Sequence, residues 1–244
     1  MRLTRCHVDL PLSVGAAVTL PESAAVHLVR VLRLREGDEC VLFNGDGNDY
    51  GARIASAGKR EVMVQVLSSS AVDNESPLRI TLVQGIARGE KMDLILQKAT
   101  ELGVAGFIPV LAERTEVKLD AGRTEKRMAH WHSVIVSACE QSGRARIPEL
   151  TQPVALAHVA TQIADGAMRL TLDPGGDSAL ASLVAPATRS AAIAIGPEGG
   201  WSPRDREILR AGGFAGLRLG PRILRTETAG LAAIAALQSR FGDL

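Results

Sequence analysis

Aromatic side chains are nearly missing from this sequence: Phe, Trp and Tyr together make up 3% of its 244 residues. A core of any size must be built from Ala, Val, Leu and Ile, and an apolar fraction of 46% is enough to build one. Cysteine is as sparse. Cys6, Cys40 and Cys139 are odd in number and far apart, with no CxxC or Cys/His ligand spacing, which argues against a disulfide framework and a zinc site. No stretch approaches the roughly 20 apolar residues of a membrane span. Met1–His7 carries no apolar run of signal-peptide length, so a cytoplasmic protein is expected. Formal net charge is only +1. That balance argues against a general coating of nucleic acid but leaves room for a local basic face. Neither GxxxxGK nor GxGxxG occurs, so the two commonest phosphate cradles are not indicated.

What the sequence does have is glycine and proline near its end. Ala192–Asp205 reads AIAIGPEGGWSPRD, and Leu219–Ala229 reads LGPRILRTETA. Each is an apolar strand running into a Gly-Pro loop and then into a helix. Gly196, Gly199 and Gly200 free the first loop for close approach to a ligand. Pro197 and Pro221 stiffen both loops. Side-chain bulk is low and free backbone N–H and C=O groups are many, which suits a ligand such as a purine and its ribose. Ser202-Pro203-Arg204-Asp205 predicts a capping box with Pro at the first helical position. Thr226 or Thr228 is the expected cap of a final helix, Ala229 to about Phe241. One such loop is an ordinary strand–turn–helix connection; two in succession point to a ligand site. A phosphate-binding enzyme is the competing reading, because helix N-termini also hold anions.

The rest of the chain divides in two. Residues 1–70 read as a small β-barrel: strands 39–44, 50–55 and 61–67, with Gly45-Asp-Gly-Asn48 as a hairpin turn and Gly58-Lys59 as a break. A single short helix over 23–34 carries Arg30 and Arg33, with Arg35 just beyond. The polar, proline-ended stretch Ser68–Pro77 holds the linker, residues 71–77. From residue 78 to 244, strands alternate with helices. Strands are expected over 79–86, 106–111, 168–172, 190–195 and 216–219. Helices are expected over 90–102, 124–142, 155–164, 203–211 and 229–241. This alternation predicts a parallel α/β sheet. In the helix from Glu90, Met92, Leu96, Ala99 and Leu102 form a buried stripe, while Lys91 and Lys98 share another face beside Arg88. Arg144 and Arg146 follow a helix stop at Gly143. These cations fit either an RNA backbone track or an ordinary solvated face. Trp131 is read as packing, and its neighbours His130 and His132 are given no catalytic role. The Ala- and Gly-rich final helix permits close helix approach.

Gly-Pro-Glu-Gly-Gly followed by Leu-Gly-Pro-Arg-Ile-Leu-Arg-Thr-Glu-Thr-Ala resembles the C-terminal signature of the SPOUT methyltransferases. More narrowly it resembles the RsmE family, which methylates N3 of a uridine in 16S ribosomal RNA. Arg88–Met92, Gln97–Gly103 and Ala138–Arg144 extend the match over most of the chain. The resemblance implies a PUA-like RNA-binding barrel before a SPOUT domain with a C-terminal trefoil knot. It further implies S-adenosylmethionine as cofactor, ribosomal RNA or the small ribosomal subunit as partner, and a homodimer through the C-terminal domain. On the family's pattern, Leu172, Ile195, Gly196, Pro197, Glu198, Gly199, Gly200, Leu219, Gly220, Pro221, Ile223, Leu224, Thr228 and Ala229 hold the cofactor. Arg30, Arg33, Arg35, Arg88, Lys91, Lys98, Arg144 and Arg146 would meet RNA. Uridine N3 must lose a proton while charge develops on the flanking carbonyl oxygens. Arg225, always charged and planar, suits that charge. Glu227 suits either the proton or the orientation of Arg225, and Glu198 ranks below it as a base. A non-catalytic RNA-binding or ribosome-assembly protein is the remaining alternative.

Overall fold

The computed structural model describes residues 3–58, 61–117, 120–176 and 178–244. Lys59, half of the expected Gly58-Lys59 break, lies outside the described residues. The chain forms two compact units, Met1–Glu75 with Cys139–Ile147, and Ser76–Ala138 with Pro148–Leu244. The expected split near residue 70 therefore has an addition, because a segment more than sixty residues downstream joins the first unit.

The first unit is built on β1 (Arg5–His7), β2 (Ala17–Thr19), β3 (Glu39–Phe43), β4 (Asn48–Ala57) and β5 (Val62–Ala71). The sheet order is β1-β3-β4-β5-β2, antiparallel except for β1 with β3. Among the described residues no pairing joins the end strands β1 and β2 to each other. Inward residues alternate: Tyr50, Ala52 and Ile54 on β4, Val62, Val64 and Val66 on β5. Ser68–Ala71 pair with β4 and belong to the strand, so the irregular stretch begins only at Val72. The helix expected over 23–34 is shorter. Helix α1 (Glu22–Ala25) passes into a π-helical turn, Val26–Val31, and Arg33 stands at φ 61°. Arg33 and Arg35 thus lie past the helix end. All three cysteines are free and buried. Burial pushes Cys6 and Cys139 up to about 12 and Cys40 up to about 11.

The second unit is a parallel sheet. Its strands are β6 (Arg79–Gly85), β7 (Val104–Leu111), β8 (Glu149–Leu150), β9 (Val154–Ala155), β10 (Met168–Leu172), β11 (Ser178–Ala179), β12 (Ser190–Ile195) and β13 (Ala215–Arg218). The order is β11-β13-β10-β12-β6-β7-β8, with β9 also on β7, and every pairing is parallel. The helices are α2 (Glu90–Glu101), α3 (Ala121–Ser142), α4 (Pro203–Ala211) and α5 (Thr226–Phe241). A sheet covered on both faces buries its strands throughout, which is why Ala191–Ile195 is an unbroken apolar run. Val83, Ala192 and Ala194 pack with Trp201, Leu209 and Phe214 on one face. Leu82 and Ile195 face α5 on the other, beside Gly230. The segment expected as a helix over 155–164 is a 3₁₀ run, Leu156–Gln162. It has no side-chain cap, and β-branched Val159 and Thr161 favour a longer helix little. The two-residue strands β8, β9 and β11 were too short to leave a pattern in the sequence.

Candidate active site

Parallel strands all end on one side, so β10, β12 and β13 deliver their loops to the same place. β10 lies between β12 and β13 in the sheet. Open parallel sheets bind ligands at the carboxyl ends of their strands. A cavity of about 480 Å³ opens there, within the range of cofactor pockets. Local chemistry holds each loop in place. The expected capping box starts α4: Ser202 Oγ accepts from Asp205 N, and Ser202 N donates to Asp205, both at 3.0 Å. Gly85, at the end of β6, lies so close to the first Gly-Pro loop that a Cβ would come within 2.5 Å of Pro197 N. Trp201 is buried beneath that loop and donates its indole N–H to Thr171 Oγ1 at 3.0 Å.

Eleven of the expected cofactor residues line the cavity: Leu172, Ile195, Gly196, Pro197, Glu198, Gly200, Leu219, Gly220, Ile223, Leu224 and Ala229. Three do not. A Cβ on Gly199 would meet Arg114 at 3.0 Å, so this glycine accommodates Arg114, whose guanidinium donates to Gly199 O. Pro221 and Thr228 are exposed away from the lining. The expected helix start was also late. The final helix begins at Thr226, and neither threonine caps it; Arg225 is the N-cap residue and makes no side-chain cap bond. The Thr226 hydroxyl instead donates to Gly196 O at 2.6 Å, joining the two Gly-Pro loops. Lys91, expected to meet RNA, and Thr226, expected as a helix cap, also line the cavity, as do Asp173, Pro174, Trp201, Arg206, Leu217 and Arg222, which were not among the expected site residues. For Asp173 the sequence held a signal, since it opens the glycine loop after β10.

The charges at the cavity divide by role. Burial would raise the Glu198 carboxyl, but hydrogen bonds from Arg88 N, its own main chain and Lys91 outweigh burial and hold it below its ordinary value. Lys91 Nζ and Arg88 N both reach Glu198 Oε1 at 3.1 Å. Glu198 is thereby an ionised latch and a poor proton acceptor. Arg206 and Asp173 form a two-pronged pair at 2.9 and 3.1 Å. Arg225 is exposed on the lining and, among the described residues, has no ion pair. Glu227 is half-buried, and its Oε2 is buried with no hydrogen-bond partner among the described residues. Among the described residues no hydrogen bond or ion pair joins Arg225 to Glu227.

The residues expected to meet RNA sit in different settings. Arg30, Arg33 and Arg35 are exposed on the first unit. Arg88 pairs with Glu116, Lys91 with Glu198 and Lys98 with Glu101, so all three already have carboxylate partners. Arg144 is only 4% exposed and its guanidinium grips Glu75 at 2.5 and 3.0 Å, an interior tie in place of a surface contact. Arg146 is exposed and its guanidinium covers Gly47. Trp131 is buried as expected, and His130 pairs with Asp93 at 2.8 Å. Among the described residues no cluster could hold a metal ion, and no helix is long and apolar enough to cross a membrane.

Comparison with known proteins gives the class first. The model of an RNA methyltransferase domain matches residues 74–238, and that of an RNA methyltransferase PUA domain matches residues 20–67. The chain is 31% identical over 243 residues to the ribosomal RNA small subunit methyltransferase E of Buchnera aphidicola, covering 100% of this chain and 98% of that one. The Bacillus subtilis protein of the same name is 33% identical over 86% of this chain and 85% of its own. Among solved structures, the Neisseria gonorrhoeae ribosomal RNA small subunit methyltransferase E bound to S-adenosylmethionine matches with a TM-score of 0.92, 37% identity and 100% coverage of both chains. A Legionella pneumophila methyltransferase in complex with the same cofactor matches with a TM-score of 0.95, 39% identity and the same coverage. The chain belongs to the ribosomal RNA small subunit methyltransferase E family.

Proposed function

We propose that the protein transfers a methyl group from S-adenosylmethionine to N3 of a uridine in 16S ribosomal RNA. The observation that carries this is the convergence of three strand-end loops on one cavity, rimmed by Arg225 and by Glu227, which among the described residues have respectively no ion pair and an unpartnered oxygen. The cavity fits the cofactor. Leu172, Leu217, Leu219 and Leu224 offer apolar walls for an adenine ring. Gly220, at φ 72°, turns the second loop so that its main chain borders the cavity. Asp173, Arg206 and Glu198 supply both signs of charge for a zwitterionic tail.

When bound, S-adenosylmethionine supplies an electrophilic methyl group on a sulfonium. The protein's own task is to hold a uridine against it and manage one proton. Glu227 takes the N3 proton: among the described residues its Oε2 has no competing donor, whereas Glu198 is engaged by three. Arg225 faces the developing charge on the uridine oxygens with no ion pair among the described residues to compete, and stays charged throughout. As the N–C bond forms the S–C bond breaks, and the proton leaves with Glu227. Glu198 also disfavours a phosphate ligand, because its carboxylate is held ionised on the first loop.

The same reading includes residues 1–70 as an RNA-binding PUA-like barrel joined by 71–77 to a SPOUT domain over 78–244. It includes a trefoil knot formed by the C-terminal segment, a homodimer through that domain, and a cytoplasmic location. RNA contacts are assigned to exposed Arg30, Arg33, Arg35 and Arg146, and to Arg88, Lys91 and Lys98 after exchange of their carboxylates for phosphates. The dimer is supported by the second face of α5, where Leu231, Ala232, Ala235 and Ala236 are only half-buried. Incubating the protein with small ribosomal subunits and S-adenosylmethionine, then mapping nucleosides by mass, tests the assignment. N3-methyluridine at one position is expected. A different methylated nucleoside would overturn the target atom, and none with either naked 16S RNA or subunits would overturn the activity.

A further inference from the structure

The inner end of β6 carries a polar group that the reading above leaves idle. Gln84 is 0% exposed, and it stands in register with Ile195, the last residue of β12. Its amide nitrogen donates to Gly85 O at 2.8 Å and to Thr226 Oγ1 at 3.0 Å. The Thr226 hydroxyl in turn donates to Gly196 O at 2.6 Å. Chemistry fixes the direction of this relay. The two carbonyls only accept and the hydroxyl has a single proton, so the amide nitrogen must face them. That leaves Gln84 Oε1 buried and, among the described residues, without a partner. It points toward Gly230 of α5, where a Cβ would lie 3.8 Å away.

Packing alone does not account for an amide here. A leucine would occupy similar volume beside Leu82 and Ile195 and remove the stranded Oε1, at the cost of the donor to Gly85 O and Thr226 Oγ1. What the amide adds is two donors that reach the ends of two elements. One holds the end of β6, where Gly85 abuts Pro197. The other holds the first residue of α5, which sits between Arg225 and Glu227 and is itself tied to the opening residue of the other loop. We propose that Gln84 and Thr226 are a positioning pair for the methyl-donor site, setting the second Gly-Pro loop against the first. The proposal rests on the cofactor reading given above and names residues that reading does not need.

Isothermal titration with S-adenosylhomocysteine, paired with thermal unfolding of the free protein, tests it. Gln84→Leu and Thr226→Val should each weaken binding roughly tenfold or more, the scale of one broken buried hydrogen bond with a stranded partner. The unfolding midpoint of Gln84→Leu should stay near that of the parent, because removing the stranded Oε1 offsets the lost donors, whereas a core-structural role would lower it clearly. Thr226→Ser retains the hydroxyl and should bind like the parent. The double variant should lose no more than the larger single loss, because both changes interrupt one relay. Unchanged affinity in both single variants, or losses that add, would overturn the pair. A lower-melting or insoluble Gln84→Leu would make Gln84 a core residue, and Thr226→Val against Thr226→Ser would still decide the hydroxyl's part. A parent protein that does not bind S-adenosylhomocysteine defeats the cofactor reading; a parent that binds, with variants that bind equally, defeats only the positioning pair.

Discussion

In the first unit, Arg5 and Arg144 are 7% and 4% exposed, and both guanidiniums are held by carboxylates. Arg5 holds Asp49 at 2.5 Å, donates to the carbonyls of Cys139 and Arg144, and lies 4.5 Å over the Phe43 ring. Arg144 holds Glu75. These ties are how Cys139–Ile147 joins a sheet far from it in the chain. In the second unit Arg225 stands exposed on the cavity rim without an ion pair among the described residues. A guanidinium can be buried only when its donors are satisfied, and a satisfied one has nothing left for a ligand. Burial therefore separates arginines that build from arginines left open to a ligand, and it does so where residue type cannot.

The contrast is broken most severely at Arg225. Arg225→Ala is expected to lower methyl transfer by about 10²–10³-fold, the scale of one lost charge-stabilising donor. Affinity for S-adenosylhomocysteine should stay within a few-fold by titration; equal losses in both would make Arg225 a cofactor clamp. The converse change is smaller. Arg144→Met leaves Glu75 without its partner and should destabilise the fold by about 2–4 kcal/mol, below the full range for a buried pair because Glu75 is 28% exposed. Circular dichroism during denaturant unfolding measures it, and an unchanged midpoint would return Arg144 to the RNA-binding candidates.

The smallest expected effect sharpens the division among the site's own charges. Glu198 is held below its ordinary value of 4.5 by hydrogen bonds that outweigh its burial. A carboxyl with a lowered folded value contributes stability above its unfolded value and loses it as pH falls through the folded one. Glu198→Gln should therefore be less stable than the parent at pH 7 by at most about 1 kcal/mol. The gap should shrink toward zero as the medium is acidified below pH 4.5. A gap that persists at low pH would mean that the latch is steric.

Much of the second unit was legible beforehand. Strands Met168–Leu172 and Ser190–Ile195 and helix Pro203–Ala211 fall where apolar runs and a proline capping box predict them. Those signals are local: the runs are continuous because both faces of the sheet are covered, and the cap is written in four consecutive residues. The final helix was read too short because Thr226 and Thr228 look like caps, while Thr226 has a long-range partner thirty residues away. β1 and β2 were missed because three residues are too few to show alternation. The standing of each cation was illegible as well. Arg144 and Arg146 are two positions apart, yet one is interior and the other exposed.

The amino-acid order by itself determined the element types, the two proline-stiffened loops and the family, because propensity, capping and motif spacing act over a few residues. Only the tertiary structure decided which of the loop residues face the cavity, that Gly199 serves Arg114, that Glu198 is latched and that Gln84 reaches Thr226. Those outcomes depend on strand order in the sheet, which brings residues more than a hundred positions apart within hydrogen-bonding distance. Strand order is set by the burial of whole faces, and no local stretch of sequence encodes it.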